Sequence, residues 1–285
     1  MATTNKLQWS SRLTFVMAAV GCAVGLGNIW LFPFLTGMNG GGAFVLVYLV
    51  AVAILALPVL IAELMVGRRG AAGPPQAIAA VARESGRSEA WRWMGVVLGG
   101  LGAIFALSFY GVAGGWAMAY TFKMAAGQLQ GIDAQQATLT FDVLNGAPGS
   151  LLPWSLAFLV LTISISARGL HAGIERAVKL MMPGLFVMLV GIVIYASIVG
   201  DFSRAANFLF APDFEKLDSK TVLAAFGAAF FSVSVGITNM MAYGSYIGRD
   251  TQIPGTAGTV VLADTAVALL AGLMIFPLLF QYGLE

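Results

Sequence analysis

Charge is scarce in this sequence. Only 10% of its 285 residues are Asp, Glu, Lys or Arg, while 59% are hydrophobic, a balance that excludes a soluble globular domain. The single cysteine, Cys22, excludes a disulfide framework within the chain. With one histidine besides, His171, there is no Cys/His cluster to suggest a transition metal. No nucleotide-binding loop, metalloprotease motif or nucleophile elbow occurs, so the chain is read as a non-enzyme. The net charge of +2 gives no reason to expect a nucleic-acid partner, because the basic residues sit beside apolar runs. No linker or low-complexity tract divides residues 1–285, which are read as one transmembrane domain.

What the chain has in abundance is long apolar runs. Seven are read as membrane-spanning helices, at 13–36, 43–66, 94–125, 152–167, 178–199, 221–246 and 256–281. The opening Met1-Ala2-Thr3-Thr4-Asn5-Lys6 is polar, and the run after it is too long for a signal-peptide core, so it is read as a retained span. With the N-terminus in the cytoplasm, inside segments carry Lys6, Arg12, Arg68, Arg69, Arg83, Arg87, Arg92, Arg168, Arg176, Lys179 and Arg249. Outside segments carry only Lys123, Arg204, Lys216 and Lys220. This bias predicts a multi-pass protein of the inner (plasma) membrane with a cytoplasmic N-terminus. Within the loop 67–93, Pro74-Pro75 followed by 76–84 predicts a short interfacial helix.

Two runs contain residues that a continuous membrane helix avoids. Gly21, Gly25, Gly27 and Asn28 interrupt the first, and each glycine costs roughly 1 kcal/mol relative to alanine in a helix. Ser232, Ser234, Gly236, Thr238 and Asn239 interrupt the sixth. Backbone unwound at bilayer depth is tolerated only inside protein or beside a watery cavity, where its free dipoles make ion and substrate sites. Interruptions in spans one and six predict two five-helix repeats, 1–199 and an incomplete second beginning at 200–285 with helices 6 and 7.

Glu63 and Asp264 are the only acids inside predicted spans, and a charge there is costly enough to face the protein interior. Glu63 fits either a protonated packing residue or an acceptor for amides freed by a broken helix. Asp264 beside Asn28 and Ser232 makes an oxygen-rich cage suited to a small monovalent cation.

Trp9-Ser10-Ser11-Arg12, residues 23–30, Phe32-Pro33, Asn39-Gly40-Gly41-Gly42-Ala43-Phe44 and Pro58…Glu63…Gly67-Arg68 resemble the neurotransmitter:sodium symporters, most closely their bacterial amino-acid transporters. The resemblance continues through Gly173-Ile174-Glu175-Arg176, Pro212-Asp213-Phe214, residues 230–234, Tyr243-Gly244-Ser245-Tyr246 and Asp264-Thr265. It implies an all-α membrane protein of the broken-helix, inverted-repeat (leucine-transporter-like) fold. The broken-helix rule was itself drawn partly from this family.

The implied activity is sodium-coupled uptake of a small neutral, apolar amino acid by alternating access. Amides at Leu26 and Gly27 and the Tyr110 hydroxyl then receive the substrate carboxylate. Carbonyls near Ala23, Phe231 and Ser232 receive its ammonium, with Phe231 as an aromatic lid. Ala106, Ser234 and Ile237 line the side-chain pocket. A first sodium takes Ala23, Asn28, Ser232 and Asp264. Relatives often carry asparagine at the position of Asp264, and its charge implies Na+ coupling with no chloride requirement.

The chain also departs from the family pattern. Gly21 and Val24 are half of a second sodium site whose other half belongs to an eighth span. Lys6 stands near an inner-gate arginine, and Leu31 replaces an outer-gate arginine that pairs with a tenth span. Met38 stands where relatives carry an acid. The alternative expectation is therefore a truncated or reduced paralogue. Such a chain binds or regulates without transporting alone, or draws the missing helices from a homo-oligomer or a partner chain.

Overall fold

The computed structural model describes residues 8–248 and 250–284, so Lys6 and Arg249 lie outside the described residues. In chain order the helices are α1 (Arg12–Ala23), α2 (Gly27–Met38), α3 (Gly42–Gly70), α4 (Pro74–Glu84), α5 (Glu89–Ala125) and α6 (Ala134–Gly146). They continue as α7 (Pro148–Ser166), α8 (Leu170–Val199), α9 (Phe202–Phe210), α10 (Ser219–Val233), α11 (Asn239–Gly244) and α12 (Ile253–Gln281). Among the described residues the one β-type pairing is an isolated bridge between Gly41 and Pro212.

Among the described residues five helices, α3, α5, α7, α8 and α12, are long and apolar enough to cross a membrane, and α1 with α2 makes a sixth as a pair bent by 50°. The count of seven is not reached on length. The sixth predicted span, 221–246, divides into the 15-residue α10 and the 6-residue α11. Ser234, Gly236 and Thr238 between them all have positive φ, which no right-handed helix accommodates. The expected interfacial helix is α4, opened by two prolines whose missing N–H groups belong to the unsatisfied first turn.

The first interruption is narrower than the glycine pattern suggests. α1 runs through Gly21 to Ala23, Val24 turns extended (ψ 111°), and α2 resumes at Gly27 as a π-wound turn. Glycine weakens a helix without forbidding it, so Gly21 and Gly27 stay helical and the chain opens only at Val24 and Gly25. The freed Gly25 amide donates to Asn28 Oδ1 at 3.2 Å, a local cap for the restart.

Residues Gly100–Ile174 form one compact unit, and the described residues on either side form another. In the first, α5 and α7 approach closely because Gly114 and Gly115 face Phe158 and Ser155, where a Cβ on Gly114 would lie 2.5 Å from the Phe158 ring. The most apolar stretch of α7 buries nothing, which suits contact with lipid. In the second unit, Phe15, Phe32, Phe44, Tyr48, Leu60, Leu64, Met240, Val260 and Val267 form the interior among α1, α2, α3, α10, α11 and α12.

Candidate ion and substrate site

The polar centre of the larger unit is built where the two interruptions meet. Asn28 sits in the first turn of α2, Ser232 near the end of α10 and Asp264 midway along α12, and all three are buried. Asn28 Nδ2 donates to Ser232 Oγ at 2.9 Å, to Asp264 Oδ1 at 2.8 Å and to the Asp264 carbonyl at 3.0 Å. The Ser232 hydroxyl donates to Asp264 Oδ2 at 2.6 Å. Three oxygens thus converge on one positively polarised nitrogen. Turning Oδ1 of Asn28 toward these oxygens, to complete an oxygen cage, requires release of the Gly25 amide that Oδ1 now accepts. One carboxylate among neutral oxygens fits a small monovalent cation. Among the described residues no group of three or more His, Cys, Asp or Glu side chains could hold a metal ion.

The two interruptions also touch directly. The Ser234 hydroxyl donates to the Cys22 carbonyl at 3.2 Å. A Cβ on Gly27 would lie 2.9 Å from Phe231 Cδ1 and 3.5 Å from Ser232 Cα, so only glycine lets α2 and α10 come this close. Ser234 and Thr238 are non-glycine residues at φ 56° and 64°, a conformation costing on the order of 1–3 kcal/mol each. Glu63 on α3 offsets that strain by accepting the Gly236 amide at 2.7 Å. The amides of Thr238, Met240 and Met241, at the start of α11, face the same carboxylate. Only Gly236 meets full hydrogen-bond geometry, and Glu63 Oε2 makes no complete bond. Glu63 thus accepts an amide freed at the second interruption.

Several of the expected site residues are therefore together. Ala23 is buried at the end of α1, and Leu26 and Gly27 open α2. Phe231 packs its ring on Gly27, while Ser234 and Ile237 lie in the second interruption. Gly21 faces elsewhere, toward Met182 on α8, and Val24 is the extended residue at the end of α1. Ala106 and Tyr110 belong to the other unit, on α5, where Tyr110 stands edge-on to Phe109.

One contributor was not singled out from the sequence. The wholly buried Tyr48 on α3 donates its hydroxyl to Ser232 Oγ at 3.1 Å, so a fourth polar group joins the cluster. Its signal was a tyrosine in mid-span, since a buried phenol needs a partner. Trp9 lies over Tyr243 (5.5 Å) and donates its indole N–H to the Tyr243 carbonyl at 3.2 Å. The amide of Ser10 donates to the buried Glu175 at 2.8 Å, fixing the entry to α1.

Apolar helices joined at a buried oxygen cluster, where two of them are interrupted, define an all-helical membrane protein with its polar chemistry at helix breaks. The sequence matches the Sodium:neurotransmitter symporter family over residues 6–140 and 136–282. The chain belongs to that family. It is 39% identical over its whole length to the uncharacterized sodium-dependent transporter YhdH of Bacillus subtilis, covering 62% of that protein. It is 28% identical to the sodium-dependent neutral amino acid transporter B(0)AT2 of Bos taurus, with 95% of this chain and 40% of that protein aligned. Among solved structures, MhsT in complex with L-phenylalanine superposes with a TM-score of 0.88 at 41% identity, over 98% of this chain and 62% of that one. The chain thus spans about 62% of the length of YhdH and of MhsT.

Proposed function

We propose that this chain carries the ion and substrate half-sites of a sodium-coupled symporter for a neutral, apolar amino acid. The observation that carries the reading is the cluster of Asn28, Ser232 and Asp264 between two touching helix interruptions. A relative solved with L-phenylalanine and another named for neutral amino acids support the substrate class. In this reading the seven apolar runs are seven spans, with helices one and six unwound at mid-membrane and a cytoplasmic N-terminus in the inner membrane. The two halves, 1–199 and 200–285, are the first repeat and the start of the second.

Sodium enters as co-substrate at Ala23, Asn28, Ser232 and Asp264. The amino-acid carboxylate meets the amides of Leu26 and Gly27 and the Tyr110 hydroxyl, and shares the ion. Phe231 closes over the bound molecule, with Ala106, Ser234 and Ile237 along its side chain. Each ligand completes the other's site, which makes their affinities reciprocal. The Asp264 carboxylate supplies the negative charge that removes a need for chloride. Gly21 and Val24 contribute to a second sodium site, and Lys6 to the inner gate.

The test is uptake of labelled phenylalanine into proteoliposomes under an inward sodium gradient. Accumulation that collapses when the gradient is dissipated supports the reading, and sodium-indifferent accumulation refutes it. The alternative reading is a reduced paralogue. In that reading it binds without transporting alone, or takes further helices from another copy or chain. Sodium-dependent binding without uptake, with a native mass above one chain where helices are shared, distinguishes it.

A further inference from the structure

The segment between α3 and α5 carries a feature that the ion and substrate cluster does not use. α4 buries Ala77 and Ile78 against Met241 of α11, with Val66 of α3 packed beside them. A groove of about 260 Å³ runs along this contact. Val66, Ile78, Met94 and Met241 are among its apolar walls, and its lining includes the exposed Trp91 and Arg87.

Placement and charge both point to one kind of occupant. α3 ends at Gly70 and α5 begins at Glu89, and each is apolar enough to span a membrane, so the groove sits at the level of the lipid headgroups. Trp91 and Trp93 are exposed there, as interfacial tryptophans are. The neighbouring basic residues are occupied: Arg69 pairs with Glu84, Arg83 pairs with Glu89 at 3.0 Å, and the Arg92 guanidinium lies over the Trp93 ring at 5.7 Å. Arg87 has no carboxylate partner among the described residues. An unpaired guanidinium at the mouth of an apolar groove matches a molecule with a phosphate at one end and hydrocarbon at the other.

The geometry points to a binding site for an anionic phospholipid, its phosphate on Arg87 and the start of an acyl chain in the groove under α4. Phosphatidylglycerol fits, whereas phosphatidylcholine brings an ammonium of its own that offsets the attraction. The site rests only on the chain's being a membrane protein, so it stands or falls separately from transport.

Native mass spectrometry of the purified full chain, with phosphatidylglycerol or phosphatidylcholine added, tests the site. Wild-type protein is expected to retain phosphatidylglycerol about fivefold better, the preference one basic side chain gives at a membrane surface. Arg87→Ala should abolish the preference, Arg87→Lys should keep part of it, and Arg168→Ala, on another loop, should leave it intact. Met94→Ser should weaken retention of both lipids by roughening the groove. Equal retention of the two lipids by wild type overturns the site, as does an undiminished preference in Arg87→Ala. Displacement of the lipid by an equal concentration of glycerol phosphate also overturns it, since the groove then contributes nothing.

Discussion

Asp264 Oδ2 accepts the Ser232 hydroxyl at 2.6 Å, and this bond ties the middle of α12 to α10 two residues before that helix is interrupted. Because Asp264 also accepts the Asn28 amide twice, one residue holds the ends of both broken elements.

Removing that side chain strands the buried Ser232 hydroxyl, at about 1–3 kcal/mol for the group left unpaired, while Asn28 Nδ2 keeps Ser232 Oγ and the backbone carbonyl of residue 264. Asp264→Ala is therefore expected to lower the unfolding midpoint. It should also weaken sodium-dependent substrate binding about tenfold or more, equivalent to about 1.4 kcal/mol. Asp264→Asn keeps hydrogen-bonding capacity and loses the charge, so its binding should become chloride-dependent. Exchanging chloride for gluconate during a binding assay checks this, and wild type should be indifferent to the exchange.

Tyr48→Phe removes one hydroxyl from the cluster without changing its volume. The bond to Ser232 Oγ is worth about 1 kcal/mol. Sodium affinity should fall by up to about fivefold, with the substrate-binding maximum unchanged. Sodium titrations of labelled amino-acid binding report both quantities.

Gly27→Ala places a Cβ 2.9 Å from the Phe231 ring. The ring must move or α2 must retreat from α10, and either change opens the interface between the interruptions. Substrate affinity should drop about tenfold or more. The double change Gly27→Ala with Phe231→Leu should recover part of the packing, measured as thermal stability.

Glu63→Ala leaves the Gly236 amide unsatisfied beside strained residues at 234 and 238, with an expected loss of about 1–3 kcal/mol. Glu63→Gln retains an acceptor for Gly236 and should lose less. Chemical denaturation in detergent ranks the three proteins.

At the start of α10, Asp218 caps the helix by accepting the Thr221 amide at 2.7 Å. That bond holds its carboxyl below the usual aspartate range. The folded-state value is the lower one. The cap's contribution is therefore present above the ordinary aspartate pKa and is lost as pH falls through the depressed value. Stability should decline on the acid side in wild type, and that slope should be shallower in Asp218→Asn.

Much of this centre was legible in residue order. Asn28, Ser232 and Asp264 are polar groups in apolar runs, where the cost of burial forces them to find one another. The extent of the interruptions was less legible. Gly21 and Gly27 weaken a helix, yet helical packing retains both, and Val24 and Gly25 alone open. In the second interruption, hydroxyl and glycine residues marked the place, but α10 continues to Val233 before Ser234 turns left-handed. Glu63 was legible as an acceptor for freed amides, but that it serves the second interruption at Gly236 depends on helices far apart in sequence, which spacing within one helix does not encode. Tyr48 was passed over because an aromatic in an apolar span reads equally as core. The docking of Trp9 on Tyr243 depends on which loops meet after folding.

The most direct measurement is equilibrium binding of labelled phenylalanine to the purified chain in sodium and in equimolar potassium, for wild type and Asn28→Ala. The account predicts clear binding in sodium, little in potassium, and loss of the difference in Asn28→Ala. Equal binding in both salts, or a sodium effect that survives Asn28→Ala undiminished, contradicts it.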